Sequence, residues 1–262
     1  MGGYFGIVLM AATAALVLGL ERLWPASATQ RGEWVNNSAA FLLLSVSQAL
    51  FGAFWATSET HLVNGFGGGL IDLRGLPWFV GAAIYLIAMD LGEYLFHRAQ
   101  HAFPWLWALH SFHHSDRGLN ATTTVRHFWL DPALKSVSVW LAVALMFKVS
   151  PLMLTCYVIA SLYNFVSHAN LRLGFGPLSW LWNSPQYHRL HHSTDETHYN
   201  ANFSALLPIF DVLTGAYHRP KPGEFPATGL DDRAMTPLEV VVWPFRGAFR
   251  RARSRPGSQP IG

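Results

Sequence analysis

His97-Arg-Ala-Gln-His101, His110-Ser-Phe-His113-His114 and His188-Arg-Leu-His191-His192 gather eight of the thirteen histidines into three short groups. On a helix, positions i, i+3 and i+4 share a face. Each group therefore aims two or three ring nitrogens in one direction. Neutral imidazole is the commonest protein ligand for transition metals. Packed together without a cation, eight rings would lose hydration and repel one another on protonation, whereas a bound ion uses their lone pairs. Eight nitrogens exceed what one tetrahedral or octahedral ion takes, so the count points to two ions. Cys156 is the only cysteine and lies in an apolar run, which leaves no thiolate site and no intramolecular disulfide. The remaining donors are nitrogen and oxygen, a set suited to iron, copper, manganese or zinc.

Other residues fall near these groups. His168 ends an apolar segment with Asn164 one helical turn before it, so both can face the cluster, and His198 follows the third group by six residues. Both histidines are candidate ligands. His61, His127 and His218 read as ordinary hydrogen-bonded histidines. Asp90, Glu93, His97 and His101 follow helical spacing. An acidic residue in an apolar helix is costly unless it is paired or functional. A carboxylate that accepts the far N–H of a ligating imidazole would fix its tautomer and orientation. Asp90 fits that role, while Glu93 fits it no better than a pair with a basic neighbour such as Arg98.

The elements that must carry these residues are apolar helices. Of 262 residues, 51% are hydrophobic and 13% charged, about half the charged content of roughly 25% usual in soluble domains. Spanning a bilayer takes about 20 apolar residues. Tyr4–Leu20, Ser38–Ala56, Leu76–Phe96, Ala133–Phe147 and Pro151–Val166 meet or approach that requirement. The fourth is short and suits a re-entrant or tilted hairpin with the fifth. The first run has no Lys or Arg before it, and Glu21, Arg22 and Trp24 interrupt the approach to Ala26-Ser-Ala28, so a membrane helix is favoured over a signal peptide. The expected fold is all-α: an integral membrane bundle of four or five helices carrying a cytoplasmic, histidine-rich helical metal-binding cap.

Residues 1–75 read as N-terminal membrane helices with a connecting loop, turned at Gly65, Gly67, Gly68 and Gly69 between Thr57 and Arg74. Residues 76–218 read as the catalytic domain and 219–262 as a basic, peripheral tail. A helix from about Leu76 to His101 would reach about 39 Å, beyond the roughly 30 Å hydrocarbon core, and so carry His97 and His101 to the membrane surface. Arg246, Arg250, Arg251, Arg253 and Arg255, interleaved with Trp243, Phe245 and Phe249, suit an anchor on anionic lipid. The positive-inside rule places this tail in the cytoplasm. Arg98, Arg117, Arg126, Arg172 and Arg189 argue for the same side, and Arg22 and Arg31 fit an outside N-terminus. No basic patch on a soluble fold suggests nucleic-acid binding.

Asp90-Leu-Gly-Glu-Tyr94-Leu-Phe-His97-Arg98-Ala-Gln-His101 and Leu109-His110-Ser-Phe-His113-His114-Ser115 resemble the fatty acid hydroxylase and sterol desaturase superfamily. Phe165-Val-Ser-His168-Ala-Asn170, Ser184-Pro185-Gln-Tyr-His188-Arg-Leu-His191-His192-Ser193, Asn202-Phe203 and Phe210-Asp211-Val-Leu-Thr-Gly215-Ala-Tyr217 extend the resemblance over residues 78–218. It implies an integral membrane enzyme that uses two iron ions and O2 to hydroxylate or desaturate lipids. His97, His101, His110, His113, His114, His188, His191 and His192 would be its ligands. His168 matches a further family histidine, and His198 falls where many members carry one. Asn164, Asn202 and Asp211 would support the ligands from behind. Ser204 stands where the family usually has Gly, and Arg126-His127-Phe128-Trp129 follows its Arg-x-His-Pro only loosely, so His127 is not carried over.

Breaking an unactivated C–H bond needs an oxidant that no side chain supplies, so a metal must carry it. No GxGxxG or Walker pattern is present, and electrons would come from a separate ferredoxin or cytochrome-type carrier. The expected activity is hydroxylation of a fatty acyl, sterol, sphingoid or carotenoid C–H bond, with desaturation on the same centre as the alternative. A zinc-dependent membrane hydrolase stays open, although Arg98 after His97 breaks the HExxH pattern. A transporter would place ionisable groups near the membrane midplane, and a bis-histidine haem protein would leave most of these rings idle.

Overall fold

Apolar runs punctuated by proline and glycine set the architecture in the computed structural model, which describes residues 2–28, 31–230, 236 and 239–244. Among these residues all regular structure is helical. Two long helices, α1 (Gly2–Leu23) and α2 (Arg31–Gly65), precede α3 (Trp78–Ala102) and α4 (Pro104–His114). Then come α5 (Asp131–Lys135), a π-helical stretch (Ser136–Trp140), α6 (Leu141–Met146), α7 (Pro151–Ser167), α8 (Pro185–His191) and α9 (Ile209–Thr214). The arginine-rich tail from Phe245 onward lies outside the described residues.

Two helices are long and apolar enough to cross a membrane, Gly32–Gly65 and Trp78–Ala102. α2 shows almost no burial over its apolar stretch. Leu42, Val46, Leu50 and Phe54, one turn apart along it, are all exposed. A continuous apolar stripe of that kind marks a surface built to meet lipid or another apolar partner. The helical stretch from Asp131 to Met146, at 1.5 Å per residue, reaches only about 24 Å. It folds back through Phe147–Ser150 onto α7.

α2 continues well past the apolar run Ser38–Ala56, through Thr57–Asn64, because helical hydrogen bonds do not depend on side-chain polarity. The expected glycine loop shrinks to a turn at Gly67, Gly68 and Gly69, all at positive φ. Gly69 admits no side chain: a Cβ there would lie 2.5 Å from the Phe147 carbonyl. The turn thus docks against the end of α6, where Ile71 pairs with Phe147.

Tyr85 and Met89 of α3 pack with Val143, Phe147, Met153 and Cys156 to join α3, α6 and α7. Val17 of α1 packs with Phe165, Ala169 and Leu171. The ends of α1 and α2 are also tied down by polar groups. Glu21 accepts the N–H groups of Ala121 (2.7 Å) and Asn170 (2.9 Å). Glu33 pairs with Arg126 at 2.8 Å and with Arg117 at 3.1 Å. Arg126 is fully buried and also donates to Asn37 Oδ1 (2.8 Å), Ser115 Oγ (2.9 Å) and the Phe112 carbonyl (3.1 Å). Asn37 in turn donates to Asp116 at 2.9 Å. Arg189 is likewise internal, donating to the Pro226 carbonyl (2.8 Å) and Ser27 Oγ (2.8 Å). These two arginines serve the interior and not an interface with lipid.

Candidate metal centre

Three helix ends and one cap converge on a single point. His97 and His101 occupy the last turn of α3; Phe103 breaks the chain, Pro104 restarts it, and α4 folds back to deliver His110, His113 and His114. Ser184 caps α8, accepting the Tyr187 N–H at 3.2 Å, and this short helix carries His188 and His191, with His192 following. His168 terminates α7. Seven of these nine rings are buried, and His97 and His101 are half-buried.

The rings sort into two sets with mutually close nitrogens: His97, His101, His110, His114 and His191 in one, and His113, His168, His188 and His192 in the other. The sorting follows helix geometry. Consecutive residues diverge by about 100° around a helix, so the pairs His113-His114 and His191-His192 each send one ring to each set. His110 and His114, four apart, stay together, as do His188 and His192.

The Nε2 atoms face one another. His114 Nε2 lies 3.1 Å from His101 Nε2, 3.2 Å from His110 Nε2 and 3.1 Å from His191 Nε2. His168 Nε2 lies 3.1 Å from His113 Nε2 and 2.9 Å from His188 Nε2. Several of these nitrogens carry no proton to share. His97 Nδ1 donates to the Phe203 carbonyl (2.7 Å), His191 Nδ1 to the Ala201 carbonyl (2.8 Å) and His168 Nδ1 to the Asn164 carbonyl (2.8 Å). A carbonyl only accepts, so each ring holds its proton on Nδ1 and presents a bare Nε2. His97 Nε2 and both nitrogens of His192 are buried without any partner. Ligand nitrogens about 2.1 Å from an octahedral ion stand roughly 3.0 Å apart. The unpartnered lone pairs and their spacing therefore fit bound metal.

Burial and the mutual repulsion of neighbouring rings keep His110, His113, His114, His188 and His192 well below the ordinary imidazole pKa. Burial lowers His168 to about 3 and His191 to about 4. These rings are neutral at physiological pH, the form a metal requires.

Supporting residues act through the loop after α8. Asp90 accepts the N–H groups of Leu206 (2.9 Å) and Leu207 (2.8 Å). Asp211 accepts those of Phe203 (2.9 Å) and Ser204 (3.0 Å), the Ser204 hydroxyl (2.5 Å) and the Tyr187 hydroxyl (2.5 Å). Both carboxylates thus fix the segment whose carbonyls orient His97 and His191, instead of meeting an imidazole. Ser204, at the usual glycine position, spends its hydroxyl on Asp211. Glu93 pairs with Lys135 at 2.7 Å. Asn164 contributes its main-chain carbonyl, and Asn202 binds the main chain of Tyr187 and His218. His198 lies apart from both sets, grouped with His218 and Glu224.

His127, read in the sequence as an ordinary hydrogen-bonded histidine, stands against the cluster. It stacks on His113 with centroids 4.8 Å apart while pairing with Asp131 at 3.2 Å. Asn200 and Asn202, either side of the Ala201 carbonyl, both take left-handed φ, 57° and 60°, which asparagine tolerates best among residues with a side chain. A cavity of about 150 Å³ opens beside the cluster, and its lining includes His97, His110, His113, His168 and His188 together with Leu86, Met89, Ala160, Phe203 and Leu206.

Residues 82–216 match the fatty acid hydroxylase family. The chain is 30% identical over 217 residues to an alkylglycerol monooxygenase of Xenopus tropicalis, covering 82% of this chain and 46% of the relative. It is 26% identical over 225 residues to an ornithine lipid hydroxylase of Rhizobium tropici, covering 83% and 68%. A very-long-chain aldehyde decarbonylase of Arabidopsis thaliana is 26% identical over 167 residues, covering 56% and 25%. The chain thus spans about half the length of the frog monooxygenase. No solved structure matches it.

Proposed function

The chain belongs to the fatty acid hydroxylase family, and from that membership we propose a membrane lipid monooxygenase whose histidines hold two iron ions. His97, His101, His110, His114 and His191 would hold one, and His113, His168, His188 and His192 the other. The observation that carries this reading is the meeting of imidazole Nε2 atoms 2.9–3.2 Å apart in a buried pocket, where His168 and His191 hold their protons on Nδ1 and turn a bare Nε2 inward. When bound, the two ions would supply the O2 activation needed to break an unreactive C–H bond.

The chain's own residues set the conditions. The carbonyls of Phe203, Ala201 and Asn164 hold three rings in one tautomer and one orientation. Leu86, Met89, Phe203 and Leu206 give the cavity an apolar wall that excludes water and accepts hydrocarbon. At about 150 Å³ the cavity holds a benzene-sized group, so only the segment to be oxidised would enter while the rest of the lipid stays outside. The Glu93–Lys135 pair lines the same cavity and offers a polar end to a substrate. Substrate would enter from the bilayer, the centre would face the cytoplasm, and electrons would come from a separate ferredoxin or cytochrome-type carrier.

Lipid profiling of cells with and without the gene, joined to iron analysis of anaerobically purified protein, tests this reading. The expected result is two irons per chain and an O2-dependent mass gain of one oxygen in a lipid. A loss of two hydrogens would assign desaturation instead. Zinc as the sole metal, with hydrolytic products, would refute an oxygenase.

A further inference from the structure

His198 is buried, and its Nδ1 has no hydrogen-bond partner. Its Nε2 lies 3.7 Å from Glu224 Oε1, beyond hydrogen-bond range. His218 stands edge-on to the same ring, with centroids 4.6 Å apart. One donor atom from each of His198, His218 and Glu224 falls within 4.8 Å of the others. Two imidazoles and a carboxylate suit a divalent first-row ion. Ligands about 2.0–2.2 Å from a tetrahedral ion stand roughly 3.4 Å apart, so a small closure of the three would complete the geometry.

Each member is held from behind. Asp195 starts the turn that ends at His198, accepting the Thr197 N–H at 2.9 Å. Asn202 clamps the main chain of His218, accepting its N–H at 2.8 Å and donating to its carbonyl at 3.0 Å. The Lys221 N–H donates to Glu224 Oε2 at 2.9 Å, leaving Oε1 on the His198 side. His218 and Glu224 are only partly buried, so water can reach a fourth position.

We propose that His198, His218 and Glu224 form a third metal site, separate from the nine-histidine centre, which takes one zinc-type divalent ion. Its role is structural. The segment it closes runs along α8: Gln186 donates to the carbonyls of Lys221 (2.7 Å) and Glu224 (3.1 Å), and the Thr194 N–H donates to the Ala227 carbonyl (3.0 Å). An ion at this site staples residues 218–224 to the turn after the third histidine group. The proposal holds whichever metals occupy the nine-histidine centre.

The test uses the full chain in detergent, equilibrated with Zn²⁺ and freed of excess, with zinc and iron counted separately by mass spectrometry. Wild type should retain one more zinc per chain than His218→Phe or Glu224→Gln, with iron unchanged. His218→Cys, which restores a donor, should keep the zinc. His191→Ala should lower iron and leave this zinc in place, so failure of the iron reading is distinguishable. Equal zinc in wild type, His218→Phe and Glu224→Gln, or none in wild type, would overturn the site and leave His198 and Glu224 as an ion pair.

Discussion

Two buried polar regions lie within one helix length of each other and are built on opposite terms. Around Arg126, donors and acceptors match: its guanidinium meets Glu33, Asn37, Ser115 and the Phe112 carbonyl, and Asn37 and Thr123 meet Asp116. Around His114, ring nitrogens face ring nitrogens with no carboxylate or carbonyl between them, and both nitrogens of His192 are left without a partner. The first region is completed by the polypeptide alone. On the proposed reading the second would be completed by ions, so stability and function would draw on different polar sets in the same protein.

The comparison predicts distinct responses. The largest effect should come from the histidines: His113→Ala or His191→Ala is expected to abolish turnover and lower iron below two per chain. His61→Ala, on an exposed position of α2, should leave both unchanged. Equal losses in all three would mean folding had been confused with coordination.

Acid should separate the regions next. The clustered rings have lower pKa values folded than unfolded, so above pH 6.5 both states are neutral and stability is unaffected. Below 6.5 the unfolded chain gains protons that the fold cannot accept, and stability falls with pH. His191, lowered to about 4, would alone account for about 3 kcal/mol once that pH is reached. Iron-stripped protein should therefore show a thermal midpoint that drops between pH 6.5 and 4. A midpoint flat across that window would contradict neutral buried rings.

Arg126→Met should cost about 3–5 kcal/mol, because it leaves buried Glu33 with Arg117 alone and takes a donor from Asn37, Ser115 and the Phe112 carbonyl. Denaturation in detergent would measure it, and the double variant Arg126→Met/Glu33→Leu should recover most of the loss. Iron per folded chain should not change in either. The smallest effect belongs to Ser204→Ala, about 1 kcal/mol, since Asp211 keeps the Phe203 and Ser204 N–H groups and the Tyr187 hydroxyl.

Much of the centre was legible because helical spacing survives folding: i, i+3 and i+4 dictated that each histidine group would converge, and His168 at the end of α7 fell into place with them. The split of His113 from His114 was not: the sequence reading aimed each group in one direction, and the 100° step between neighbours instead sends these two rings to different sets. The role of Asp90 was not. Its partners, Leu206 and Leu207, lie more than a hundred residues away in a loop whose path depends on Asn200 and Asn202, and no periodicity encodes that path. The length of α2 escaped for another reason: hydropathy reports what lipid would cover, not where backbone hydrogen bonding stops. His198 shared its neighbours' residue type but not their helix, and the turn that carries it leads to Glu224 instead.

The acceptors that orient His97 and His191 belong to the main chain, at Phe203 and Ala201. No point substitution deletes a peptide carbonyl. Evolution or design can retune these two rings only by rerouting the strand of backbone itself, through the asparagines that bend it or the carboxylates that tether it. Ring orientation here is inherited from a path, which makes it insensitive to drift at the very positions that supply it.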